Sequence, residues 1–219
     1  TSNIWSEIWP EISLAIAAIV LLGIDLFRKS SRPLVSTGIL AITVQASLLI
    51  FHLFDYLVWH HTFDRETFSG MLQQGIQGDV MRTFFLLSSL LVTVLGHQYL
   101  KTNHLRSGEF HHLTMLATAG LMLLVQSNNF LMLFVALETV AVCFYTLVAY
   151  NRDSAKSLEA GIKYLVFGAL SSSLLLFGIV LLYGVGANPE AWGANFVGYE
   201  TQDPLGFNYL GNLLEANPE

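Results

Sequence analysis

Two charged residues, Glu138 and Lys163, lie inside long apolar segments of the chain. Glu138 is the single acid in residues 130–150, a stretch long enough to cross a hydrocarbon core of about 30 Å. A carboxylate at that depth costs roughly 2.5 kcal/mol or more, so we expect it to face other helices or a hydrated cavity. Two interpretations follow: a group that handles protons or ions, or an acid hydrogen-bonded in a bundle with no role in turnover.

Lys163 lies near the start of the next apolar segment, about 12 Å along a helix that begins at Ala155. It is either a snorkelling lysine with its ammonium at the interface, or a protonatable amine that passes protons on. Successive spans run antiparallel, and the depths of Glu138 and Lys163 are expected to differ by about one to two helical turns. A direct bridge between them is therefore compatible with the sequence but not required by it.

The composition predicts an all-α integral membrane protein. Of the 219 residues 53% are apolar and only 12% are charged, against about 25% charged in soluble proteins. The apolar residues form runs of helical length rather than the alternation of a membrane barrel. The lipid bilayer is thus the first expected partner, and the net charge of −6 argues against nucleic acid.

Hydropathy and loop charge together predict a polytopic helical bundle of about six spans. The spans are residues 8–27, 34–54, 80–100, 113–125, 130–150 and 161–185. Every odd-numbered loop is basic, whereas the opposite side has only Arg65 and Arg82. By the positive-inside rule both termini are expected outside. We expect Asp153 to cap the sixth helix, the polar loop 55–79 to contain at most a short helix, and residues 205–214 to begin an amphipathic segment.

No cofactor or metal site is predicted from the residues. The seven histidines do not show the spacing of a helical ligand pair, and the single cysteine, Cys143, excludes an internal disulfide. Neither a phosphate-binding glycine loop nor a cysteine pair for an iron–sulfur centre is present.

Residues 128–184 carry a family resemblance. NNFLMLFVALE at 128–138 and NRDSAKSLEAGIKYLVFGALSSSLLLFGIVLLYG at 151–184 resemble, in order and spacing, the subunit N family of respiratory complex I, the proton-pumping NADH:quinone oxidoreductase. The resemblance implies an antiporter-like fold with inverted repeats, related to Mrp-type antiporters. It matches Glu138 to the family's glutamate on helix five and Lys163 to its lysine on helix six. Ala136 stands where the family usually has glycine.

The resemblance also implies a division of the chain. Residues 1–112 would be an N-terminal three-span region, and residues 113–185 the first three helices of the first antiporter-like repeat. Residues 186–219 would be an acidic linker on the outer side, leading to a seventh span that this sequence does not contain. We therefore expect either a fragment of a longer protein or the product of a split gene.

The implied function is proton translocation through a Glu138–Lys163 relay in the membrane arm of complex I, most simply in a bacterial inner membrane. Other membrane-arm subunits would be the partners. FMN, iron–sulfur clusters and quinone would belong to partner subunits and not to this chain. The alternatives are a subunit of an Mrp-type cation/proton antiporter, and a structural membrane scaffold without an ion path.

Overall fold

The computed structural model describes residues 8–27, 34–59, 65–68, 70–102, 108–187 and 203–216. These form a helical bundle with one small hairpin, so the all-α class is confirmed. The helices are α1 (Trp9–Phe27), α2 (Leu34–Trp59), α3 (Ile76–Thr102), α4 (Gly108–Gln126), α5 (Phe130–Val148), α6 (Ala155–Gly186) and α7 (Phe207–Ala216). The hairpin pairs β1 (Arg65–Thr67) with β2 (Leu72–Gln74) in antiparallel register.

Four of the described helices are long and apolar enough to cross a membrane, namely α2, α3, α5 and α6. The apolar part of α1, Trp9–Ile24, is shorter, and α4 is not among the four. The reason lies in the position of α4, which packs against α1, α2, α3 and α5 at once. Because protein rather than lipid covers this helix, it accommodates polar residues such as Thr114 and Thr118, both buried.

The helices alternate in direction, as contacts at the two ends of the bundle establish. At one end Arg82, near the start of α3, bonds Glu11 near the start of α1, and Gln126 at the end of α4 bonds the same carboxylate. We call this the Arg82 end. At the other end Gly38 of α2, His97 of α3 and His111 of α4 lie against one another. We call this the histidine end.

The basic loops that the structure describes share the histidine end. Lys101 lies in the last turn of α3, and Arg152 in the α5–α6 turn pairs with Glu109 of α4 at 2.6 Å. Lys156 lies in the first turn of α6. Residues 28–33 and 103–107, which carry Arg28, Lys29, Arg32 and Arg106, lie outside the described part of the chain. Assignment of this end to the inner side of the membrane stays a prediction.

Local structure departs from expectation at two places. The described part of the polar loop contains the β1–β2 hairpin rather than a separate short helix, while α2 extends into it to Trp59 and α3 begins at Ile76. Gly70, with φ of 88°, lies in the turn between the strands. The N-cap of α6 is Ser154 rather than Asp153, and its hydroxyl accepts from the Ser157 amide. The N-cap of α5 is Asn129, as the sequence predicts, and accepts from the Leu131 amide at 2.6 Å.

The helices differ in how much of their surface is buried in the bundle. Large side chains from α1, α3 and α4, including Leu14, Leu86, Met115 and Met122, form the buried centre. By contrast, α6 contacts mainly α5, and only 6% of its most apolar stretch is buried.

The amphipathic segment predicted at 205–214 appears as α7, where the Tyr209 hydroxyl donates to the Gly186 carbonyl at 2.8 Å. Burial raises the pKa of Tyr209, which favours the protonated, donating form.

Candidate functional site

Glu138 occupies the face of α5 that is turned towards α6. Successive residues of a helix turn by about 100°, so Glu138, Tyr145 and Ala149 fall in one strip about 40° wide. Ala149 lies against Gly161 of α6 and the Tyr145 hydroxyl against Gly168. The side chain of Glu138 is half-buried, and its Oε1 atom is fully buried without a hydrogen-bond partner among the described residues. A buried carboxyl oxygen left in this way is a ready acceptor for water or for a proton.

The close approach of α5 and α6 fixes the register of the two helices. A Cβ atom on Gly161 would lie 2.5 Å from that of Ala149, so these two residues are level. The two helices run antiparallel, so eleven residues back along α5 from Ala149 correspond to eleven residues forward along α6 from Gly161. Ser172 is therefore level with Glu138. Gly161, Gly168 and Ser172 again fall in one strip of about 40° on α6. We call the two facing strips the α5–α6 seam.

Lys163 does not face this seam. Lys163 is two residues after Gly161, so it is rotated by about 200° and lies on the opposite face of α6. It is nine residues from Ser172, so it lies about 13.5 Å along the helix axis from the level of Glu138. This exceeds the expected one to two turns, and the two charges make no direct pair in the described structure. Instead the Lys163 ammonium bonds Glu159, one turn earlier, at 2.5 Å, with both side chains more than 60% exposed. The i to i+4 spacing of these two residues was readable from the sequence.

A second charged group, centred on Arg82, was not recognised from the sequence. Its guanidinium bonds the Glu11 carboxylate at 2.7 Å, Asp79 at 3.2 Å and the Gln74 amide oxygen at 3.0 Å. Gln126 donates to the same Glu11 oxygen at 2.5 Å and accepts from Gln74. Arg82 is 4% exposed and Glu11 2%. We call these five residues the Arg82 cluster.

The Arg82 cluster ties four elements together. It joins α1, β2, α3 and the end of α4, one turn before the Asn129 cap that starts α5. A cleft of about 290 Å³ lies beside it, lined by Gln73, by residues 75–78 and by residues 125–127. The Arg82 guanidinium pairs with both carboxylates, which is the arrangement of a structural clamp, although Oε2 of Glu11 is buried without a partner among the described residues.

The histidine end holds two neighbouring imidazoles whose ring planes are tilted by 37°. The rings of His97 and His111 are 5.6 Å apart, and Gly38 approaches them so closely that any Cβ there would overlap His97. Both ring nitrogens of His111 are buried without a hydrogen-bond partner. Within the described residues, no three His, Cys, Asp or Glu side chains are grouped to hold a metal ion.

Comparison of the sequence with known families matches residues 127–198 to the "NADH:quinone oxidoreductase/Mrp antiporter, TM" family, a region that includes both Glu138 and Lys163. The chain is 46% identical to NADH-quinone oxidoreductase subunit N 1 of Opitutus terrae, over 99% of this chain and 41% of that protein. It is 40% identical to subunit N of Xanthomonas euvesicatoria, over 80% of this chain and 35% of the relative. The chain therefore spans about two fifths of the length of the curated relatives that it matches.

Solved structures share the fold. A chain of respiratory complex I from Thermus thermophilus superimposes with a TM-score of 0.64 at 23% identity, over 94% of this chain and 42% of that one. A chain of the archaeal membrane-bound sulfane sulfur reductase superimposes with a TM-score of 0.63 at 21% identity. At these identities the agreement concerns the arrangement of the helices.

Proposed function

Since the chain belongs to the NADH-quinone oxidoreductase subunit N family, we propose that it is a proton-translocating, antiporter-like subunit in the membrane arm of a complex I. It is an integral protein of the bacterial inner membrane. The observation that carries the proposal is Glu138: a carboxyl group placed on a helix–helix seam in an apolar span, with one oxygen buried and unpaired. The Glu11 carboxylate, which pairs with Arg82, has a buried counter-charge, whereas Glu138 has no cationic partner among the described residues.

In this proposal Glu138 is the proton-binding group and Lys163 a second, separate one. Lys163 lies on the face of α6 that points away from Glu138, and the two side chains are too far apart to pass a proton directly. Water molecules or further residues must therefore lie between them. The exposed face of α6, which includes Lys163, would then be covered by other helices of the complete subunit or by neighbouring membrane-arm subunits. Lys163 would exchange its Glu159 partner as its surroundings change.

The proposal also covers the number and orientation of the spans, the division of the chain and the location of the cofactors. Six spans with both ends outside agree with the alternating helices and with the basic residues that share the histidine end. Residues 1–112, 113–185 and 186–219 are proposed as the N-terminal region, the first part of the repeat and an outer linker. FMN, iron–sulfur clusters and quinone are proposed to reside in partner subunits.

Purification of the tagged chain from its native membrane tests the proposed assembly. We expect it to co-purify with subunits that contain flavin and iron–sulfur clusters, and the preparation to oxidise NADH with quinone as acceptor. Co-purification with other antiporter subunits, without flavin or iron, would instead support an Mrp-type antiporter and contradict the proposal.

A further inference from the structure

Tyr145 is the third polar group on the α5–α6 seam, beside Glu138 and Ser172. Its hydroxyl lies directly over Gly168, where even a methyl group would overlap the oxygen. The edge of its ring packs against the ring of Tyr164, with centroids 5.1 Å apart and planes at 80°. The glycine and the second ring together fix where the hydroxyl points.

The hydroxyl is directed towards the level of Glu138. Side chains on a helix lean towards its N-terminus, and for Tyr145 this is the direction of Glu138. Gly168 lies four residues from Ser172, so the hydroxyl is about 6 Å along the axis from the Glu138 level. The Glu138 side chain leans in the same direction, so its carboxyl group lies farther from the hydroxyl, and water molecules would have to bridge the gap between the two groups.

Both groups that face this gap have unused hydrogen-bonding capacity. The Tyr145 hydroxyl makes no hydrogen bond with any described residue, and neither does the buried Oε1 of Glu138. A phenol can donate and accept at the same time, and in doing so it can link two waters into one chain. Phenylalanine would serve equally well if only the ring mattered.

We propose that Tyr145 is a proton-relay residue that connects Glu138, through water, with the histidine end of the α5–α6 seam. The phenol oxygen accepts a proton from the water on the Glu138 side while its own proton passes to the water on the other side. The hydroxyl is thus regenerated neutral in each passage, and no charge stays on the ring. This inference rests on the proposed function of Glu138.

The test compares three variants in assembled complexes in inverted membrane vesicles. Tyr145→Phe removes the hydroxyl and keeps the ring contact, Tyr164→Phe is the matched control, and Glu138→Gln is the reference. The readouts are complex content on native gels, the ratio of protons taken up to NADH oxidised, and the solvent deuterium isotope effect on uptake. A merely structural role of the hydroxyl would not change the last of these.

We expect Tyr145→Phe to assemble normally and to lower proton uptake by roughly a hundredfold with an altered isotope effect, as loss of a positioned proton-transfer group does. Tyr164→Phe should match the wild type. Wild-type uptake by Tyr145→Phe, while Glu138→Gln is impaired, overturns the relay and leaves the proposed function intact. Wild-type uptake by both variants overturns both.

If Tyr145→Phe does not assemble, Gly168→Ala decides, because it keeps the hydroxyl but displaces it from the seam. Reduced uptake at normal complex content supports the relay. Wild-type uptake by Gly168→Ala overturns it.

Discussion

The Arg82 cluster and the α5–α6 seam both bury acidic groups, but only the cluster provides a counter-charge. Each region has one buried carboxyl oxygen without a partner among the described residues, Oε2 of Glu11 and Oε1 of Glu138. In the cluster one Glu11 oxygen has a guanidinium and an amide as partners, and Asp79 shares the same guanidinium. On the seam the Oε1 atom of Glu138 is equally hidden and is bonded to no described residue. The first arrangement stabilises one geometry, because any movement separates buried charges. The second leaves a carboxyl group free to change its state.

The same contrast appears in the packing around the two regions. Protein surrounds the Arg82 cluster on α1, α3 and α4, whereas α6 shows most of its surface outside its contact with α5. We infer that the first region fixes the arrangement of α1, α3 and α4, and we propose that the second region binds and transfers protons. Three substitutions are designed to break or sharpen this contrast.

The largest loss of stability is expected from Arg82→Met. Removing the guanidinium leaves the Glu11 and Asp79 carboxylates buried without their counter-charge, which costs about 3–5 kcal/mol. We expect a marked fall in the thermal unfolding temperature of the protein in detergent, and loss of complex content in membranes. Arg152→Met is the matched control, since Arg152 pairs with Glu109 at 2.6 Å but is 65% exposed; its cost should stay below about 1 kcal/mol. Equal effects of the two substitutions would contradict the difference between a buried clamp and a surface pair.

A smaller effect is expected from Gly161→Ala on the seam. The new Cβ would lie 2.5 Å from the Ala149 Cβ and 3.2 Å from its Cα, so the two helices must separate, at about 1–3 kcal/mol. Gly178→Ala on the same helix is the control, because nothing lies within 4 Å of the position that its new methyl group would take. That control should be neutral or slightly stabilising, as alanine favours helix by up to about 1 kcal/mol. Thermal unfolding of both variants measures the difference, and unchanged stability of Gly161→Ala would refute the register given above.

The smallest effect on stability is expected from Lys163→Arg. The pair with Glu159 is exposed and should change the free energy of unfolding by no more than about 0.5 kcal/mol. Proton pumping should nevertheless fall, because an arginine side chain stays protonated under all relevant conditions. Lys156→Arg, in the exposed first turn of α6, should change neither stability nor pumping. A Lys163→Arg variant that assembles and pumps normally would remove Lys163 from the proposed pathway.

The sequence predicted those features that depend on local pattern. Each of the six predicted spans falls on one of the helices α1 to α6, of which four are long and apolar enough to cross a membrane. A lone carboxylate in an apolar stretch drew attention to Glu138, whose role stays a prediction. Arg82 was counted only as a charge opposite the basic loops, because its partner Glu11 is 71 residues away and no local pattern links them. The hairpin β1–β2 was missed for a similar reason: its strands have three residues each and are held by distant contacts, such as Asn128 to the Gly70 carbonyl. The sequence could not show that Lys163 points away from Glu138, because this depends on the register between α5 and α6. Only the close contact between Gly161 and Ala149 reveals that register.

The most direct test of the central claim is proton uptake by vesicles that contain the Glu138→Gln complex. Glutamine keeps the shape and hydrogen-bonding capacity of the side chain but cannot release or take up a proton at this position. Glu138→Asp, which keeps the carboxyl group on a shorter side chain, is the matched control. The account predicts that Glu138→Gln assembles at wild-type content, judged on native gels, yet loses most of its proton uptake and of the coupled quinone reductase activity, while Glu138→Asp retains much of both. Wild-type uptake by a fully assembled Glu138→Gln complex would show that Glu138 is a structural acid and would contradict the account.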